Sequence, residues 1–334
     1  MTALSEKLSI FIPTYNRWDI LFQTLSRLVK YLPKGVRVNI VNNASTNNEY
    51  RNKVDEFIKT TQRFEISIID YAVNIGGEGN FLRCVELCET EYIWVLGDDD
   101  FIIENAFSNL EHFLGTDQKY GWINFFVKNN YDNKVLPQRS FNSPFALIDY
   151  APNWAKLIYI SSNIYSTDLL KKGLLYGHSW QATCSILVVS LCKGWEELDK
   201  NVALKYHFCV SDLKLIDVDY HAKGVVPVQH YDQVDIYLKM PLLRFVTFSD
   251  PRAFSLIRKS LRKASKKVFK PRVFIKHLAA KVDLFGYVKS ILLLKRTYMN
   301  MIYMAGFSRA SFYFLKGVLL LSSKEFIRMV TLKK

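Results

Sequence analysis

The stretch Glu91-Tyr-Ile-Trp-Val-Leu-Gly-Asp98-Asp99-Asp100 decides how the rest of the chain is read. Five apolar residues, Tyr92 to Leu96, reach Gly97 and then three consecutive carboxylates. Asp is rarely buried unless it is paired or holds a metal. Three adjacent carboxylates also repel one another, so keeping them all ionised at a strand end calls for a cation. Mg²⁺ or Mn²⁺ is the natural occupant, a hard ion bound through carboxylates, water and substrate phosphate. A solvated acidic turn is the plain alternative, and the tripeptide alone does not separate the two.

Upstream, apolar runs alternate with helical patterns. Leu8 to Ile12 is followed by Pro13-Thr-Tyr-Asn-Arg17. Trp18, Leu21, Phe22, Leu25, Leu28, Val29 and Leu32 then recur at helical spacing. Val36 to Val41 reads as a second strand ending in Asn42-Asn-Ala-Ser-Thr-Asn47, residues 50–62 as a helix, and Ile66 to Ile69 as a third strand. Residues 78–89 suit another helix, which leads into the fourth strand, Tyr92 to Leu96. This alternation predicts an α/β fold with a mostly parallel sheet covered on both faces. Ligands of such sheets bind outside the carboxyl ends of the strands. The clusters 14–17, 42–47 and 98–100 all lie at those ends and converge on one crevice.

Four motifs occur in order: Ile12-Pro-Thr-Tyr-Asn-Arg17, Val41-Asn-Asn-Ala-Ser-Thr46, Asn74-Ile-Gly-Gly77 with Asn80, and the acidic run ending at Asp100. Together they resemble family 2 of the inverting glycosyltransferases, which has the nucleotide-sugar-binding GT-A fold. The resemblance covers residues 7–115 well and loosens to about residue 240. Its Trp-Val-Leu-Gly-Asp-Asp-Asp form is similar to that of bacterial transferases building O-antigen or capsule repeat units.

The resemblance implies a donor nucleotide site of Pro13, Thr14, Tyr15, Arg17, Asn43, Asn74, Asn80 and Asp98. Pro13, Thr14 and Tyr15 are expected to cradle the base, with Asp98 on the ribose. It also implies Asp99 and Asp100 as ligands of a divalent metal, Mg²⁺ or Mn²⁺. The metal acts as a Lewis acid on the departing nucleoside diphosphate. A general base deprotonates the acceptor hydroxyl, which attacks the anomeric carbon from the opposite face.

Two departures stand out. Many relatives carry two Asp at the end of the second strand, where this chain has Asn42 and Asn43. An amide both donates and accepts, so Asn43 is expected to read the base and to leave UDP-, dTDP- and CDP-linked donors open. The acceptor side lacks the usual Glu-Asp. His178 stands where the base is expected, with a pKa suited to proton abstraction near neutrality. Asp212 is the second catalytic candidate, against the alternative of a solvated loop. Asp168 is expected to cap the helix that follows it.

The 334 residues carry a net charge of +14, unevenly placed. Residues 251–334 hold 20 Lys and Arg against Asp283 and Glu325, and residues 1–250 are slightly acidic. Bases alternate there with large apolar side chains, and the longest uncharged run, Thr297 to Ser308, is too short to cross a bilayer. The expectation is a basic amphipathic helical region on an anionic membrane surface. A solvated basic bundle and a nucleic-acid patch are the rivals, and the aliphatic content between the bases disfavours nucleic acid. The five cysteines are scattered and read as buried free thiols. Residues 1–7 are polar and give no signal peptide. The Asn129–Pro144 stretch reads as a mobile lid or acceptor loop. Ala182 to Cys192 reads as a buried helix.

Residues 1–120 are thus expected to bind the nucleotide sugar, 121–240 the acceptor, and 241–334 the membrane. The expected protein is a metal-dependent glycosyltransferase. It would work peripherally at the cytoplasmic face of the plasma membrane and add one sugar to a lipid-linked or polysaccharide acceptor. A non-catalytic nucleotide- or polyanion-binding protein and a sugar nucleotidyltransferase are the alternatives. The latter would need a Gly-rich triphosphate loop, which this chain lacks after the first strand.

Overall fold

The computed structural model describes residues 4–127, 135–151, 154–181, 183, 185–217, 246–249, 253, 255–257, 259, 287–305 and 307–331. Part of the expected lid loop and most of the basic segment 251–286 lie outside them. The chain divides into two compact units. One contains residues 1–151, 156–181 and 185–225, and the other residues 152–155, 182–184 and 226–334.

The first unit is built on a sheet of eight strands. Its strands are β1 (Leu8–Thr14), β2 (Arg37–Asn42), β3 (Ile66–Asp70), β4 (Tyr92–Val95), β6 (Lys119–Asn124), β7 (Arg139–Phe141), β8 (Asn163–Ser166) and β9 (Tyr206–Val210). Their spatial order is β3-β2-β1-β4-β8-β6-β9-β7. A separate ladder joins β5 (Phe101–Ile102) antiparallel to β10 (Ile216–Asp217). The strands β1 to β4 are mutually parallel, β8 runs against β4 and β6, and β9 is parallel to β6. The carboxyl ends of β1, β2, β3, β4, β6 and β9 therefore share one edge. The expected mostly parallel α/β sheet is present, and the elements of the first hundred residues lie within about two residues of the expected ends.

The central strands β1 and β4 are buried because helices cover both faces. Leu8, Ile10, Phe11, Ile12, Ile93, Trp94 and Val95 are almost fully buried, giving the continuous apolar pattern of a doubly covered parallel sheet. Helix Trp18–Tyr31 buries Trp18, Leu21, Leu25 and Leu28, the stripe its period predicts.

Behind the sheet, helices Thr167–Lys172 and Ile186–Glu196 approach at backbone contact. A Cβ on Gly173 would lie 1.8 Å from the Ser190 carbonyl oxygen, and one on Gly194 would lie 1.9 Å from that of Leu169. Only glycine permits this spacing. The buried helix expected at Ala182 to Cys192 runs instead from Ile186 to Glu196. It extends past Lys193 because that ammonium is paired at 3.1 Å with Glu196 one turn on. Asp168 does not cap its helix, which begins one residue earlier at Thr167. Its carboxylate accepts from the Tyr206 hydroxyl at 3.0 Å. The four described cysteines, Cys84, Cys88, Cys192 and Cys209, are buried free thiols. Burial raises the thiol pKa of Cys84, Cys192 and Cys209, the last to about 11.

In the second unit, helices Tyr287–Ala305 and Phe307–Thr331 pack together. Leu294, Met301, Ala310 and Leu321 are buried, the Tyr298 and Phe314 rings lie 4.9 Å apart, and the Tyr298 and Ser311 hydroxyls are 2.7 Å apart. Each helix also exposes an apolar stripe: Val288, Leu292 and Met299 on one, Phe312, Leu315 and Leu319 on the other, each at least 58% exposed. No helix among the described residues is long and apolar enough to cross a membrane.

Candidate active site

At the carboxyl edge, β1 and β4 end side by side and their loops lock together. Thr14 donates its hydroxyl to Asp98 Oδ2 at 2.8 Å, and Thr24 donates to the Asp98 carbonyl at 2.7 Å. The Arg17 guanidinium donates to Asp98 Oδ1, and the same nitrogen lies 3.1 Å from Asp99 Oδ2. Asp98 is buried and is paired with a protein cation. Asp100 is also buried, and its carboxylate accepts from Tyr159 at 2.7 Å and from Ser161. Ser161 Oγ in turn accepts from the Gly97 N–H at 2.8 Å. Asp98 and Asp100 are thus held on opposite sides of the turn, by the β1 loop and by the segment before β8.

These contacts bear on a metal. Two hard carboxylate oxygens, from Asp98 and Asp99, converge on a single cationic nitrogen. Mg²⁺ is commonly held by one or two carboxylates plus substrate phosphate, so this pair fits such an ion. Asp100, the expected partner of Asp99, has its carboxylate engaged by Tyr159 and Ser161, as that of Asp98 is by Thr14 and Arg17. Among the described residues no three acidic, histidine or cysteine side chains group to hold an ion.

The β1 and β2 loops are stitched by Asn16. Its backbone is left-handed at φ 54°, a conformation Asn tolerates. Its side-chain oxygen accepts from the Thr46 and Asn47 N–H groups at 2.7 and 2.9 Å, and its own N–H donates to Ser45. Pro13 is buried within β1, and the Tyr15 ring stands 41% exposed at the tip of the loop.

Asn43 departs from expectation. Its Nδ2 donates to Asn74 Oδ1 at 2.8 Å and to the Gly76 carbonyl at 3.1 Å. Its Oδ1 accepts from the Ile75 N–H at 3.1 Å and from Arg83 at 2.9 Å. An amide offers two donors and two acceptor positions, so every one is taken by protein. The Asn43 amide is therefore engaged within the wall of the crevice. Asn74 is its partner, and Asn80 donates to the Val41 carbonyl at 2.9 Å, pinning helix Gly76–Leu87 to the end of β2. Arg83 lies over the Tyr71 ring at 3.9 Å and completes this wall.

The two base candidates part company. His178 hydrogen-bonds Glu86 at 2.9 Å and Gln181 at 3.2 Å. Glu86 lies ten residues beyond Gly76 in helix Gly76–Leu87, about 15 Å along its axis. Gly76 is the end that touches Asn43, so His178 is not brought to the crevice. Asp212 is exposed in the loop after β9, at the shared carboxyl edge. Leu213 O accepts from the Phe126 N–H, and the chain runs on to β10 beside β5, which directly follows Asp100. Tyr159, Ser161, Thr24 and Arg83 were not singled out from sequence. Only the polar run Ser161-Ser-Asn163, placed just before a strand, hints at the first two.

Residues 9–174 match the model described as glycosyl transferase family 2. The chain belongs to glycosyl transferase family 2. The chain is 28% identical over 109 residues to the abequosyltransferase RfbV of Salmonella typhimurium, an alignment spanning 32% of each protein. The crystal structure of S. aureus TarS 1-349 superposes with a TM-score of 0.55 at 14% identity, covering 96% of this chain and 91% of that one. The same TarS segment in complex with UDP-GlcNAc gives 0.54. At this identity the likeness concerns the fold, and it agrees with the GT-A architecture of the sheet.

Proposed function

We propose that this transferase moves one sugar from a nucleoside-diphosphate sugar to a lipid-linked or polysaccharide acceptor in cell-surface glycan synthesis, with inversion at the anomeric carbon. The observation that carries the reading is the locked pair of loops, in which Thr14 and Arg17 hold Asp98 at the junction of β1 and β4. Such a junction is where parallel sheets bind nucleotides. The abequosyltransferase relative and the UDP-GlcNAc complex of TarS support a nucleotide-sugar donor.

Thr14, Tyr15 and the wall of Asn43, Asn74 and Arg83 form the nucleotide side, and the base is UDP-, dTDP- or CDP-type. Asp98 and Asp99 hold Mg²⁺ or Mn²⁺, which when bound neutralises charge on the departing diphosphate. Asp100 orients the acceptor-side loop through Tyr159 and Ser161. Asp212 accepts the proton of the acceptor hydroxyl, a task its exposed place at the same edge supports.

The enzyme works peripherally on an anionic membrane. The exposed apolar stripes of helices Tyr287–Ala305 and Phe307–Thr331 and the basic excess of residues 251–334 support this. The test is a panel of UDP-, dTDP-, CDP- and GDP-sugars with Mn²⁺, read as nucleoside diphosphate released with and without added glycolipid extract. Release from one donor class, stimulated by extract, supports the reading; no release from any donor refutes it.

A further inference from the structure

We propose that Arg17 and a divalent cation are alternative occupants of the space between Asp98 and Asp99, so that the metal enters with the nucleoside diphosphate and not before it. The proposal rests on the donor reading above. One guanidinium nitrogen reaches Asp98 Oδ1 and Asp99 Oδ2 together. All three side chains are mostly sheltered, 15% exposed for Arg17 and 8% and 20% for the two carboxylates. A free divalent ion at those oxygens would stand against a fixed positive charge in a weakly screened site, which is repulsive.

A nucleoside diphosphate resolves the conflict. Its phosphate oxygens match the planar fork of a guanidinium, so Arg17 can turn onto phosphate while the ion takes the carboxylates. The exchange needs only side-chain motion. Arg17 is the residue before helix Trp18–Tyr31, and its carbonyl already accepts from the Leu21 N–H at 2.9 Å. Arg17 is thereby a positioning residue that couples metal binding to donor binding.

The experiment is Mn²⁺ titration of the full chain followed by electron paramagnetic resonance, without nucleotide and then with UDP, dTDP, CDP and GDP in turn. Wild type and R17K should bind free Mn²⁺ weakly, and R17Q about tenfold or more tightly, within the usual range of coupling between sites. A D99N change in the R17Q background should remove that gain. With the accepted nucleotide, Mn²⁺ binding should tighten about tenfold in wild type and little in R17Q. R17M, which keeps the aliphatic stem, replaces R17Q should the latter not fold. Free Mn²⁺ binding that is equal to wild type or weaker in folded R17Q or R17M overturns the proposal. Because that comparison needs no nucleotide, failure of every nucleotide to bind would count against the donor reading alone.

Discussion

Thr14 and Asp98, 84 residues apart in the chain, are joined by a buried hydrogen bond of 2.8 Å that ties the loop after β1 to the turn after β4. Removing the hydroxyl leaves a buried carboxylate oxygen short of a donor. Bonds to charged groups contribute about 1.5–3 kcal/mol. T14V should therefore lower unfolding stability by about 2 kcal/mol in urea titration. On the proposed donor site it should also weaken nucleotide binding, because the loop it anchors would form the nucleotide side. Unchanged stability in T14V would show that the two loops are held independently.

The separation of Asp212 from His178 gives opposite expectations for the two residues. D212N should reduce sugar transfer by about 10²-fold or more, the range of general base catalysis, while nucleotide binding stays as in wild type. H178Q should leave kcat within about threefold, since His178 bonds Glu86 at the far end of its helix and mutations away from the reacting centre have modest effects. Steady-state kinetics of both variants checks this, and a large loss in H178Q would restore it as the base.

Gly194 lies against the Leu169 carbonyl so closely that an added Cβ would sit 1.9 Å from it. No rotamer relieves a backbone clash. G194A should cost about 3 kcal/mol or more, the upper end of overpacking effects, and appear as a clear drop in Tm by calorimetry. Ordinary exposed helical glycines gain from the same change, so the sign of the shift is diagnostic.

Arg51 holds Asp70 through two hydrogen bonds, at 2.7 and 3.0 Å. The guanidinium, aided by the Asn42 amide, keeps the Asp70 carboxyl below its ordinary value of 3.8. A carboxyl depressed in the folded chain stabilises it above the unfolded pKa, and that stability is lost as pH falls through the lower folded value. The pair is half exposed, so its contribution is about 0.5 kcal/mol after screening. D70N should be less stable than wild type by about this amount at pH 7, with the gap closing as pH falls below the ordinary carboxyl value of 3.8. Chemical denaturation at a series of pH values measures it.

Much of this was legible in the sequence because the first hundred residues repeat a local signal. Apolar strands end in polar clusters at Thr14, Asn42 and Asp98, and period-3.6 stripes such as Leu21, Leu25 and Leu28 mark the helices between. Side-chain partners were less legible. The saturation of Asn43 depends on Arg83, forty residues away, and the hold on Asp100 depends on Tyr159 and Ser161, about sixty away. No local pattern encodes such pairings. The position of His178 was not legible either, since it is set by how helix Leu174–Ser179 meets the last turn of helix Gly76–Leu87.

The most direct test of the central claim is calorimetric titration of the full-length protein with UDP, dTDP, CDP and GDP in the presence of Mn²⁺, repeated on D99N. Binding of one nucleoside diphosphate by wild type, weakened at least about tenfold in D99N as expected for loss of a charged ligand, is the predicted result. Absence of binding by all four would contradict a nucleotide site at Thr14, Arg17, Asp98 and Asp99.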